Sequence, residues 1–353
     1  MAAKNDPPVI QDPAIPQGSW VLVTGVNGYI GSHVADQVLA AGYKVRGSVR
    51  NAEKAKWLLD LFAPYGRDNF DLVQISDLTA EGAFDEATKD VAGVIHVASI
   101  TNMNPDPNEV VAPTVAASVN ALKAAMKEPS VKRFVYCSSS MAAYTPKNNV
   151  PMTITEETWN IETVQAAWAP PPYDSSRSFV VYGASKTQAE QEIWRWYRGH
   201  RAERPDFVVN AILPNMNMGQ VLDVKSQGIP STAGFIKLIW DGQLDLLRSM
   251  LPPQYYIEVQ DDARIHVAAL LLPDVKDERI FAFADTFDYD QLLAAFRKVA
   301  PNHSFPADVK DGSADLAKVP NGRALELLKR VGRKEWVTLD QAMASMVQSY
   351  EEL

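Results

Sequence analysis

Apolar positions along the chain fall into short continuous runs, separated by stretches in which they recur every three or four residues. Val21-Leu22-Val23, Lys44 to Val49, Phe70 to Ile75, Val91 to Ala98, Arg133 to Ser138, Phe207 to Leu213 and Arg279 to Ala284 read as seven buried strands. Between the first two, Val34, Val38 and Leu39 share one helical side, with Asp36 and Gln37 on the other. Further helices are predicted near Asn51 to Leu61, Gly82 to Lys89, Val110 to Lys127 and Tyr182 to Arg201. Strands alternating with helices imply an α/β fold, a doubly wound parallel sheet with helices on both faces. Ligands bind beyond the carboxyl ends of such strands. Asp77, Val97 to Thr101 and Ser138 to Met141 fall at those ends.

The pattern breaks from Pro146 to Phe179, a stretch rich in Pro, Asn, Thr and Trp. A loop this long is usually functional or an insertion. Residues 215–260 and 286–353 are read as mostly loops and helices, forming a smaller cap over the carboxyl edge. The expected division is an N-terminal extension (1–18), a nucleotide-binding domain (19–214 and 257–285) and a mostly helical substrate-binding cap (215–256 and 286–353). Asp261-Asp262 is expected in a turn of the cap, and Glu156-Glu157 at a solvated helix start.

The first strand runs into Thr24-Gly25-Val26-Asn27-Gly28-Tyr29-Ile30-Gly31, and the helix it opens ends near Gly42. Strand, glycine turn, helix, glycine and strand make the βαβ unit that a dinucleotide fingerprint requires. Glycines at 25, 28 and 31 let backbone amides approach a pyrophosphate, and the helix N-terminus favours its charge. The second strand ends Gly47-Ser48-Val49-Arg50, without the acid that would bind a free ribose 2′-hydroxyl. Arg50 stands there instead, with Lys54 and Lys56 beyond, which favours NADPH over NADH. Asp77 and Leu78 are expected against the adenine.

Composition narrows the rest. The 353 residues are 46% hydrophobic and 22% charged, an ordinary globular balance. A net charge of −9 argues against a nucleic-acid surface. No apolar run approaches the roughly 18 residues of a membrane helix, and the start lacks a signal peptide's basic and apolar segments, so a cytoplasmic enzyme is expected. Val267 to Leu272 is read as a short buried segment. The single cysteine, Cys137, is read as a buried inert thiol and His96 as a hydrogen-bonded core histidine. His33, His200, His266 and His303 show no ligand spacing, so no metal is expected. Trp194, Trp196 and Tyr197 are read as packing or an association face.

Tyr182-Gly183-Ala184-Ser185-Lys186 places a phenol and an ammonium on one helix face. A phenol is a poor acid near neutrality, and an ammonium nearby stabilises its anion. Such a pair can give a proton to a carbonyl oxygen as hydride reaches the carbon. A hydroxyl from Ser138-Ser139-Ser140 is available to hold that oxygen.

These motifs together resemble the extended short-chain dehydrogenases/reductases, with a Rossmann core and a Ser-Tyr-Lys set. The matching pieces are Thr24 to Gly31, Asp77-Leu78, His96 to Ser99, Ser138-Ser139 and Tyr182 to Lys186. Within that family the chain is similar to the dihydroflavonol-reductase-like branch, and most of all to fungal NADPH-dependent carbonyl (aldehyde) reductases. That likeness rests on Val131 to Val135, Leu213-Pro214-Asn215, Pro252 to Tyr256 and Thr286 to Asp288. It spans about Gly18 to Trp336. The resemblance implies Ser139 as catalytic serine, Tyr182 as proton donor and Lys186 as its activator. It implies Arg50 and Lys54 at the 2′-phosphate, and Val97, Ala98, Ser99 and Pro214 at the nicotinamide half. Placement and resemblance together suggest Met103, Met141, Phe235, Leu251 and Gln254 for an apolar substrate pocket suited to aryl or alkyl ketones and aldehydes. Two other readings stay open: an NAD-dependent sugar-nucleotide epimerase or dehydratase, and a non-catalytic NADP(H) sensor. A nucleotide-sugar substrate would want basic residues in the cap, which offers Lys225, Lys237 and Arg248.

Overall fold

The computed structural model describes residues 7–353; the first six residues of the predicted N-terminal extension lie outside the described residues. In chain order the strands are β1 (Trp20–Thr24), β2 (Lys44–Val49), β3 (Phe70–Gln74), β4 (Gly93–His96), β5 (Arg133–Cys137), β6 (Met152–Thr153), β7 (Val208–Pro214), β8 (Met216–Met218), β9 (Gln254–Glu258), β10 (Arg279–Ala282), β11 (Asp285–Phe287) and β12 (Ala317–Lys318). Seven of them form a sheet in the order β10-β7-β5-β4-β1-β2-β3, with every neighbouring pair parallel. The order reverses between β1 and β4, so a crevice opens beyond the carboxyl ends of those two strands. A second sheet, β11-β9-β8, and the two-stranded β12-β6 are smaller.

Successive strand residues point to opposite faces. Val21 and Val23 therefore join one apolar cluster, and Leu22 between them joins another. On the first face helix α1 (Tyr29–Ala40) lies beside α10 (Val259–Leu271). On the second, α4 (Pro107–Lys127) lies beside α6 (Ser178–His200). The short α2 (Trp57–Phe62) and α3 (Asp85–Thr88) follow β2 and β3. The first cluster continues into α8 (Ser231–Trp240), α9 (Leu244–Met250) and α13 (Leu339–Glu351), so Val21 and Val34 share a core with Ile236, Met343 and Tyr350. Around these pack α5 (Ile161–Ala167), α7 (Val224–Gln227), α11 (Tyr289–Val299) and α12 (Gly322–Arg330). Ala14 N–H donates to the Leu271 carbonyl at 2.7 Å, and Ile15 is fully buried, so the described end of the extension seals the base of α10.

The structure corrects several boundaries. α4 starts three residues before the predicted Val110, because Asp106 caps it, accepting from Asn108 N–H at 2.9 Å, and Pro107 occupies its first turn. Asp261 and Asp262 are not in a turn of the cap. They open α10 and are fully buried, with Asp261 accepting from Arg333 Nε at 2.9 Å and Val337 N–H at 2.8 Å. Val267 to Leu272 is buried as expected, and as far as Leu271 it belongs to the same helix. Glu156 and Glu157 sit in an exposed turn; the nearby helix is α5, capped by Asn160 Oδ1 on Thr163 N–H at 3.2 Å. The Pro146 to Phe179 stretch contains β6 and α5. Among the described residues no helix is long and apolar enough to cross a membrane, and none of their His, Cys, Asp and Glu side chains group as metal ligands.

Candidate active site

The glycine turn owes its shape to close backbone approach. Gly25 has φ +66°, and a Cβ there would sit 3.0 Å from Ala98 Cα. A Cβ on Gly31 would lie 2.2 Å from the Gly25 carbonyl oxygen. Gly28 precedes α1 and offers no side-chain cap, and the first turn of α1 carries no acid. The first N–H groups of the helix thus face no competing anion, which suits a pyrophosphate. The Tyr29 hydroxyl is committed elsewhere, donating to the Gly219 carbonyl at 2.7 Å. Thr24 Oγ1 accepts from the Val97 and Ala98 N–H groups, both at 3.0 Å, and lies 2.9 Å from His96 Nδ1. Burial, and then the Lys186 charge, push His96 down to about 3, so it is neutral and its Nδ1 accepts from the Thr24 hydroxyl.

A cavity of about 930 Å³ extends from this turn along the strand ends. Its wall includes Gly25, Asn27, Gly28, Tyr29, Ile30, Gly31, Arg50 and Leu78. Val97, Ala98, Ser99, Ser139, Tyr182, Lys186 and Pro214 continue it, and Met103, Met141, Phe235, Leu251 and Gln254 line it as well. Lys54 and Asp77 stay outside the wall. Lys54 is exposed on a 3-10 turn beyond β2. Asp77 is exposed and accepts from the Thr79 hydroxyl and N–H at 2.7 and 2.8 Å, bonds that hold its carboxyl below the usual range. Arg50 is exposed at the end of β2 and does line the cavity.

Tyr182 and Lys186 lie one helical turn apart on α6 and share the cavity. Lys186 is buried, donates from Nζ to the Cys137 carbonyl at 3.1 Å and sits 5.6 Å from the centre of the Tyr136 ring. Burial alone would lower its pKa, but the Tyr136, Tyr182, Cys137 and Glu190 side chains outweigh that and raise it, so the ammonium persists beside the Tyr182 phenol.

The three serines after β5 separate by their bonds. Ser138 Oγ donates to Glu190 Oε2 at 2.6 Å, and Glu190 also accepts from Arg279 Nε at 2.7 Å and Trp194 Nε1 at 3.0 Å. Ser138 is therefore tied into a buried network. Ser139 Oγ accepts only a 3.2 Å bond from Met141 N–H, which leaves its proton free to donate into the cavity. Ser138→Ala is expected to lower stability by about 1–3 kcal/mol, by leaving Glu190 short of a donor, while turnover persists. Ser139→Ala is expected to lose roughly 10²–10³-fold in kcat at a stability cost near 1 kcal/mol. Thermal melts and steady-state rates on both variants check this, and the opposite pattern refutes the assignment.

Sequence reasoning missed part of the wall. Phe179 lies one turn before Tyr182, a spacing that marks it in hindsight, and its ring is 5.9 Å from that of Phe235. Asn217, Thr232, Leu246 and Met250 also line the cavity, and no local pattern singles them out. Lys225, Lys237 and Arg248 do not line it.

A family model described as the NAD dependent epimerase/dehydratase family matches residues 21–284. The chain belongs to that family. Curated relatives match nearly the whole length of this chain. Aldehyde reductase 2 of Sporidiobolus salmonicolor is 38% identical over 341 residues, covering 96% of this chain and 98% of its own. NAD-dependent epimerase/dehydratase terH of Aspergillus terreus is 39% identical over 337 residues, covering 95% and 98%. The crystal structure of Gre2 in complex with NADPH from Candida albicans has a TM-score of 0.79 at 24% identity over 96% of this chain and 99% of that one, a likeness of fold.

Proposed function

We propose that this protein reduces small ketones and aldehydes to alcohols with NADPH, with Tyr182 as proton donor. The observation that carries the reading is one cavity holding the glycine turn, Arg50 and the Tyr182/Lys186 pair. Its walls suit the cofactor. Gly31 leaves room only for hydrogen against the Gly25 carbonyl, and Ser99 Oγ is buried without a partner among the described residues. When bound, NADPH supplies the hydride. The glycine turn and the start of α1 hold its pyrophosphate, Arg50 its 2′-phosphate, and Lys186 its nicotinamide ribose. Ser139 Oγ donates a hydrogen bond to the carbonyl oxygen, and Tyr182 Oη delivers the proton to that oxygen. The Lys186 ammonium stabilises the phenolate that remains.

Aldehyde reductase 2 points to the same reaction. The family description and the name of the Aspergillus terreus relative favour a second reading, a sugar-nucleotide epimerase or dehydratase. Charge weighs against it. Apart from Arg50 and Lys186 the cavity wall carries no cation, Lys237 pairs with Asp241 at 2.6 Å, and Arg248 pairs with Asp311 at 2.9 Å. A nucleoside diphosphate would find nothing basic at the substrate end. Incubation with NADPH and a panel of aryl ketones, β-keto esters and aldehydes tests the proposal. Oxidation of NADPH with at least one class is expected; none with any, together with NAD released on denaturation, replaces it with the epimerase reading.

Arg50→Asp checks the cofactor. Loss of a charge-assisted bond to phosphate removes about 1.5–3 kcal/mol, so KM for NADPH is expected to rise roughly 10- to 100-fold while KM for NADH holds or falls. Unchanged preference means the phosphate is read elsewhere.

A further inference from the structure

Asn217, on β8, is buried, and its Nδ2 donates to the Asn215 carbonyl at 3.3 Å. That bond fixes the amide's orientation, because the flipped amide would set oxygen against oxygen. Asn217 Oδ1 is then left buried with no partner among the described residues. Thr232 Oγ1 has used its proton on the Asn217 carbonyl at 2.6 Å. Gln254 Nε2 donates to the Pro252 carbonyl at 3.3 Å. All three residues line the cavity, and each has engaged a donor inside the protein, so each keeps an acceptor oxygen. They belong to the substrate end, since Thr232 sits one turn before Phe235 on α8. The rest of that end is apolar, with the Phe179 and Phe235 rings and Met250.

We infer that the preferred substrates are aryl ketones or aldehydes bearing a hydroxyl or N–H group remote from the carbonyl, which donates to Asn217 Oδ1. This rests on the carbonyl reductase reading. A substrate donor would satisfy this acceptor, which a purely apolar substrate leaves as unpaired as it is in the empty cavity. A site built to bond a substrate hydroxyl rejects the analogue that lacks it.

The test compares ortho-, meta- and para-hydroxyacetophenone with the methyl ethers of the same isomers, using NADPH and the whole chain. For at least one isomer the hydroxyl compound is expected to show a kcat/KM about tenfold or more above its ether. Asn217→Leu is expected to abolish or reverse that ratio. Equal rates for every pair in the wild type overturn the inference, as does a preference that survives in the variant. Should Asn217→Leu fail to fold, Asn217→Ser, which shortens the side chain and withdraws the acceptor, is expected to shrink the ratio. Calorimetric titration of the same pairs reads binding alone. A chain that reduces none of them yet binds hydroxyl over ether in an Asn217-dependent way loses the reductase reading and keeps the acceptor site.

Discussion

Tyr182→Phe is expected to cut kcat with any carbonyl substrate by about 10²–10⁴-fold, the usual worth of a positioned general acid. The change removes one oxygen and nothing else. That oxygen has no hydrogen-bond partner among the described protein residues, and Tyr182 is half-buried at the cavity wall, so no buried group is left unpaired by its loss. Lys186 keeps its bond to the Cys137 carbonyl. The glycine turn and Arg50 are untouched, so cofactor affinity is expected to stay within about threefold of wild type, the scatter normal for a surface-like substitution. The measurements are steady-state rates with a ketone and the rise in melting temperature on adding NADPH. A variant that turns over like wild type refutes the proton-donor role. One that loses NADPH binding shows instead that the phenol holds the cofactor.

The parts of this site that were legible in the sequence are those built from residues close together in the chain. The turn from Thr24 to Gly31 is local, because strand, turn and helix all lie in one βαβ unit. Tyr182 and Lys186 are local too, four apart on α6. The sheet followed from alternating apolar runs, since strands covered on both faces leave continuous hydrophobic stretches. Side chains that meet only through the fold were not legible. Ser138 looks like Ser139 until Glu190, 52 residues on, takes its hydroxyl. Asn217 is one asparagine among many until Thr232, from α8, bonds its backbone carbonyl. Asp261-Asp262 misled for a related reason. The pair opens a helix instead of sitting in a turn, and the burial of Asp261 is offset by Arg333, 72 residues away, while Asp262, at the start of α10, lies 3.3 Å from His266 Nδ1. Asp77 shows what spacing alone leaves out: Thr79 gives two donors to its Oδ1, and it stays outside the cavity wall that its neighbour Leu78 lines.

Gly31→Ala is the other substitution with a large expected effect, and the contrast with Gly28→Ala makes it specific. At position 31 the new methyl would sit 2.2 Å from the Gly25 oxygen, 2.9 Å from its carbon and 3.2 Å from Val26 Cα. All three are backbone atoms, so no side chain can swing away, and α1 must move off β1 instead. Overpacking of this kind costs about 1–3 kcal/mol or more, and the shift also pulls the first helical N–H groups from where a pyrophosphate would sit. At position 28 the methyl would come no nearer than 3.3 Å to the same oxygen, and the backbone there has φ −84°, open to any residue. Gly28→Ala is therefore expected to melt near the wild type and keep a measurable response to NADPH. Gly31→Ala is expected to melt lower and to show no response at ligand concentrations that stabilise the wild type by about 2.7 kcal/mol, the gain at a hundredfold excess over Kd. If both variants bind alike, the close packing of α1 on the turn is not what shapes the pyrophosphate cradle, and binding must rest on Arg50 and the residues beyond β4.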